Sequence, residues 1–133
     1  MSKNNSVQIA YQNAIDLIDK KDYPQASEQL NEILKVFPNE LNSIYLLIDC
    51  YIKLNKPTKA LKSVHEALNI KNDDKKLLHL EIRLNEFLER DSECIYLLKK
   101  YINKFSDIGA LKHLSNLLAV SYTHLTLPTT SPV

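Results

Sequence analysis

Apolar side chains at positions 7, 10, 11, 14, 15, 17 and 18 recur at a helical interval, not an alternating one, so residues 7–20 are expected to form an amphipathic helix ending near Lys21. Asp22-Tyr23-Pro24 then starts a second helix, because a proline in a first turn lacks only a donor that has no intrahelical partner there. That helix runs to Phe37 with Ala26, Leu30, Ile33 and Leu34 inward, and Pro38-Asn39 closes the hairpin.

The same grammar returns. A helix over 41–54 is followed by Asn55-Lys56-Pro57, a helix to about Ile70 and a polar turn from Lys71 to Asp74. Helices over about 75–89 and 92–104, joined at Arg90-Asp91, make a third hairpin. Ser106-Asp107 can cap a seventh helix from Ile108, since a side-chain oxygen there accepts from an orphan backbone donor. Ala26, Ala60 and Cys94 stand thirty-four residues apart, as do Leu30, Val64 and Leu98, then Ile33, Ala67 and Tyr101. A fixed period with a small residue in one register and apolar residues in others marks a stacked helical-hairpin array.

This pattern resembles the tetratricopeptide repeat. With Val7 as position one, Tyr23, Ala26 and Pro38 fall on template positions of that family, and the second repeat keeps Tyr51, Ala60 and Ala67. The resemblance covers residues 7–119 and implies an all-α fold, an α-solenoid of stacked antiparallel helix pairs. Its repeats are 7–40, 41–74 and 75–108, with a truncated fourth over 109–119. The family's small residue at position eight is Ala14 in repeat one but Ile48 and Ile82 afterwards.

In that fold the first helices line a concave groove. Position five there is Tyr11, Tyr45, His79 and His113, a ladder of rings; position nine supplies Ile15, Asp49 and Arg83, and position two supplies Gln8, Asn42 and Lys76. Rings with polar tips can pack an extended peptide or a partner helix, but they can equally fill the space between neighbouring first helices. The family's carboxylate clamp is not reproduced: its positions hold Tyr11, Ile15, Leu46, Lys76 and Leu80, of which Lys76 alone fits.

Composition narrows the class of function. Seventeen basic against sixteen acidic residues set a net charge of +1, with no block of like charge to draw in nucleic acid or anionic lipid. Cys50 and Cys94 lack ligand spacing and lie in apolar helical stretches, so they are expected to be buried thiols in a reducing, cytoplasmic compartment. The start of the chain has no apolar signal segment, and no run approaches the roughly 20 apolar residues a membrane span requires. No phosphate loop, nucleophile motif or metal-ligand cluster is recognisable, so neither catalysis nor a cofactor or metal is expected.

The ends stand apart from the repeats. Residues 1–6 are expected to be disordered. After Ala119 the composition changes abruptly, and Val120 to Thr129 matches the in-frame translation of a transposase-type sequencing adapter, so 120–133 is expected to be a non-native or disordered tail. The seventh helix carries Leu111, Leu114, Leu117 and Leu118 without a following helix, an end through which copies could self-associate. Function follows from the resemblance: a non-catalytic scaffold that holds a peptide or helix of another protein in the groove. The alternative is the regulatory region of a larger enzyme or transcription regulator.

Overall fold

The computed structural model describes residues 3–130, with side chains over 5–120. Seven helices follow one another: α1 (Lys3–Asp19), α2 (Tyr23–Val36), α3 (Leu41–Lys53), α4 (Pro57–Ile70), α5 (Lys75–Phe87), α6 (Asp91–Phe105) and α7 (Ile108–Thr130). The described residues contain no strand, and the fold is an all-α helical-repeat solenoid. Among the described residues no helix is long and apolar enough to cross a membrane. The chain divides into two compact units, residues 1–84 and 85–133.

Within the first unit α1 packs on α2, α2 on α3, and α3 on α4. The contacts fall on the periodic positions. Ala26 and Ala60 are fully buried, as is Cys94 in the second unit, and Leu30, Val64 and Leu98 follow them at 0%, 0% and 2% exposure. A residue no larger than Cys at that first register lets the two helices of a hairpin approach closely. Ala14, Ile48 and Ile82 are also buried, so the larger side chains of the later repeats are accommodated at position eight. The core of repeat one gathers Ala14, Ala26, Leu30 and Ile33 with Leu47 and Cys50 of α3, so the first hairpin completes its apolar layer on the second.

Each hairpin turns by one device. Lys21, Asn55 and Glu89 adopt φ of 61°, 57° and 58°, the left-handed region, at a spacing of thirty-four residues. The amide of Lys21 donates to the Ile18 carbonyl and that of Asp22 to Leu17, both at 2.8 Å. The pairs Asn55–Ile52 with Lys56–Tyr51, and Glu89–Glu86 with Arg90–Asn85, repeat this geometry. These are Schellman closures, which satisfy the last carbonyls of a helix and normally place glycine at the left-handed residue. The chain uses Lys, Asn and Glu there.

Helix α1 begins at Lys3, and its Val7 packs against the core cluster that includes Ile33 of α2. Helix α7 passes through Ala119 and continues to Thr130. A change of composition is no stop signal; between Gly109 and Pro128 there is neither glycine nor proline to end a helix. Residues 1–2 and 131–133 of the two expected disordered ends lie outside the described residues.

The period also slips once. Four residues, 37–40 and 71–74, join α2 to α3 and α4 to α5, whereas Ser106-Asp107 alone join α6 to α7, and α6 is one residue longer than α2 or α4. Ser106 closes α6 in the left-handed region at φ 51°, and Asp107 caps α7 by accepting from the Ala110 amide at 3.2 Å. The last spacing is therefore thirty-three. Among the described side chains of α7 the buried ones are Ala110, Leu114 and Leu117, matching Ser43, Leu47 and Cys50 of α3 in that shortened register.

Candidate partner-binding surface

The position-five residues do not share one environment. Tyr45, half-buried on α3, donates its hydroxyl proton to Asp74 Oδ2 at 2.8 Å. Asp74 is already engaged: its Oδ1 accepts from the Leu77 amide at 3.1 Å, so it caps α5, and Lys71 Nζ stands 3.8 Å from Oδ2. Burial, the hydrogen bond to Asp74 and its negative charge push the Tyr45 hydroxyl up to about 12. Burial pushes the Asp74 carboxyl up as well. The hydrogen bonds from Tyr45 and the Leu77 amide, the Lys71 charge and the Lys76 amide outweigh that and hold it below the ordinary carboxylate value.

Tyr11 feels an acidic cap one period earlier. It is half-buried on α1, and burial first, then the Glu40 carboxylate, raise its hydroxyl above the ordinary tyrosine value. Glu40 caps α3 by accepting from the Ser43 amide at 2.9 Å, and the Ser43 hydroxyl donates to the same carboxylate. Tyr45 thus bonds the acidic cap of the next repeat, and Tyr11 feels the charge of one, a role that reading the rings alone does not disclose. The signal was available in the sequence: an acid stands twenty-nine residues after each tyrosine.

The remaining first-helix positions are wetter. Asp49, Lys76, His79 and Arg83 are exposed, while Ile15 is half-buried. Asp49 is exposed yet partly desolvated; burial pushes its carboxyl up, and Lys53 one turn on pulls it back. Tyr11, Ile15, Tyr45, Asp49, Lys76, His79 and Arg83 all belong to the first unit. His113 lies in the second, half-buried, where its Nε2 pairs with the Glu86 carboxylate. Through the slip before α7, His113 takes the register of Leu46 and Leu80, and Lys112 takes that of Tyr45 and His79.

Other polar pairs join neighbouring helices. His65 Nε2 lies 2.9 Å from Glu81 Oε2, linking α4 to α5 within the first unit. Among the described residues no group of three or more His, Cys, Asp or Glu is placed to hold a metal ion. Cys50 and Cys94 are buried thiols outside any disulfide, each raised to about 11 by burial first and neighbouring carboxylates second. At the start of the array Val7 and Ala10 of α1 and Ile33, Val36 and Phe37 of α2 line an apolar pocket of about 390 Å³. Repeat two has Ile44, fully buried, where repeat one has Ala10.

Comparison with known proteins agrees with this architecture. The tetratricopeptide-repeat family profile matches residues 17–81. The DnaJ homolog subfamily C member 3 of Rattus norvegicus is 29% identical over 112 residues, an alignment that covers 79% of this chain and 22% of that protein. The chain thus spans about a fifth of the length of that curated relative. The crystal structure of the P58(IPK) TPR domain superposes with a TM-score of 0.84 at 21% identity, covering 93% of this chain and 35% of that one. The first TPR domain of Spaghetti (RPAP3), bound to the HSP90 peptide SRMEEVD, gives a TM-score of 0.69 at 11% identity and covers 87% and 93% of the two chains.

Proposed function

With residues 17–81 a tetratricopeptide-repeat segment, we propose that the protein is a non-catalytic interaction scaffold of the reducing cytoplasm that holds an extended peptide or a helix of a partner protein against its first helices. The residues assigned to contact are Tyr11 and Ile15 of α1, Asp49 of α3, and Lys76, His79 and Arg83 of α5. Tyr45 positions the α5 cap beside them.

One observation carries the proposal. On α3 and α5 the position-eight side chains Ile48 and Ile82 are buried while their neighbours Asp49 and Arg83 are exposed, so the periodic surface is free of the packing duty that the core residues discharge. Aromatic and half-buried apolar groups beside exposed charges suit a polypeptide ligand, which needs ring area together with satisfied donors. The peptide held by a TPR domain of the same fold supports the ligand class, though this chain matches the clamp chemistry at Lys76 alone.

Photocrosslinking in cells tests the assignment. A benzophenone amino acid at Ile15 or His79 is expected to capture a protein partner, and the same probe at exposed Glu28 of α2 is not. The Asp49→Ala, Arg83→Ala double variant should weaken capture at both sites. Equal capture from Glu28, undiminished in the double variant, would move the interaction to another surface.

A further inference from the structure

Residues 50–65 contain Lys53, Lys56, Lys59 and Lys62 and no acid, a concentration of charge around the α3–α4 turn. All four lysines are exposed, and no carboxylate lies within ion-pair distance of any of them among the described residues. On α4, residues three apart are surface neighbours, so Lys56, Lys59 and Lys62 form one continuous ridge. It extends roughly 9 Å along the helix at about 1.5 Å per residue. Asp49 is the carboxylate that Lys53 acts on, one turn before the ridge.

The placement runs against helix electrostatics. Lys56 is the N-cap of α4 and makes no side-chain capping bond, Pro57 follows, and the first turn has no acid. The N-terminal pole of a helix favours carboxylates and disfavours cations. The equivalent N-cap in repeat one is Asp22, which accepts from the Gln25 amide. A local rule broken without a compensating contact marks a position held for function more than for stability. The ridge is partly ordered in advance. Lys59 Nζ lies 5.9 Å from the centroid of the Tyr51 ring, and Asn31 of α2 donates to the Tyr51 hydroxyl at 3.1 Å, fixing that ring.

We propose that the Lys56–Lys59–Lys62 ridge, with Lys53 beside it, is a second docking surface, one that receives a short acidic polypeptide segment. Charge complementarity sets the chemistry, and length sets the class. About three extended residues span the ridge at roughly 3.3 Å each. A long polyanion needs basic charge that continues along the array, and repeat one has six acids against three lysines over residues 7–40. The ridge lies on the hairpin turn and the second helix, so it is separate from the first-helix surface proposed above.

Fluorescence anisotropy at low salt with a labelled hexaglutamate peptide and a labelled 12-nucleotide single-stranded RNA tests this. The peptide should bind, lose affinity steeply with added salt, and weaken by about tenfold on Lys56→Asp, Lys59→Glu, Lys62→Glu substitution. The same triple variant should melt at a higher temperature than wild type, because it restores an acidic cap to α4; a loss of binding then cannot come from unfolding. Reversal of exposed Lys99 and Lys100 on α6 to glutamate, which lowers the net charge without altering residues 53–62, should leave peptide affinity within about twofold. Tighter binding of the RNA than of the peptide would overturn the proposal, as would an equal loss in the Lys99, Lys100 variant or undiminished binding by the triple variant.

Discussion

Tyr45 and Asp74, twenty-nine residues apart, are joined by a 2.8 Å hydrogen bond from the tyrosine hydroxyl to a carboxylate that also caps the next first helix. One side chain of repeat two therefore holds the starting point of α5, and with it the backbone at Lys76. Tyr45→Phe removes the donor and leaves the ring. It is expected to cost about 1 kcal/mol in urea unfolding, the usual net worth of one such bond.

The same pair sets a pH dependence with a definite sign. Asp74 has a native value below its unfolded one, so its stabilisation is fully present above the unfolded value of about 4. It is lost as pH falls through the lowered native value. Tyr45 is raised to about 12, so its contribution is whole below the unfolded value of about 10 and disappears as pH rises through the native one. Unfolding midpoints measured across pH should show a shallower acid limb in Asp74→Asn and a shallower alkaline limb in Tyr45→Phe. Unaltered limbs in both variants would break the link.

The left-handed residues offer a stabilising substitution. A non-glycine side chain there costs on the order of 1 kcal/mol, with asparagine among the most tolerant. Lys21→Gly and Glu89→Gly should each raise the thermal midpoint, and Asn55→Gly should raise it least. A fall in midpoint for Glu89→Gly would mean that its side chain makes contacts outweighing the backbone strain.

Ala60 tests the repeat register. It is fully buried on α4 at the position shared with Ala26 and Cys94. Ala60→Leu should overpack the hairpin and cost roughly 1–3 kcal/mol, whereas a midpoint unchanged from wild type would place residue 60 outside the helix contact.

Much of this architecture was legible because tight helix crossings leave few choices of residue: Ala26, Ala60 and Cys94 announce the period by size alone. The turn conformation was not legible, since Lys21, Asn55 and Glu89 carry none of the glycine signal that the Schellman closure normally shows. Nor did ring type disclose the partners of the ladder. Tyr11 and Tyr45 read as ligand contacts or packing groups from sequence, and the acid twenty-nine residues after each gains its meaning only once Tyr45 is seen to reach Asp74 across the repeat boundary. Ser106-Asp107 was visible as a cap, yet a strict thirty-four residue count conceals that this turn is short. His65 and Glu81, sixteen positions apart, have no periodic signature at all.

The cysteines should report on opening of the fold. Burial raises both thiols to about 11, so neither Cys50 nor Cys94 holds an appreciable thiolate fraction near neutral pH. Reaction with a disulfide reagent at pH 8 is expected to be slow in the native state and to accelerate in parallel with unfolding as urea is added. Rapid stoichiometric labelling of the native protein would contradict the burial of both.

The two-residue join before α7 has a consequence for anyone aligning this array by its period. Skipping one residue turns a helix by about 100° relative to an unbroken count, so a template copied forward from α5 misplaces the inward and outward sites among the described side chains of α7. Leu111, which the unbroken count equates with buried Leu77, is in fact exposed, and Ala110 has moved into its place. The surface seen by solvent on the last helix is thus set by a deletion in a connector, a phase error that residue-by-residue comparison of the helices themselves would never reveal.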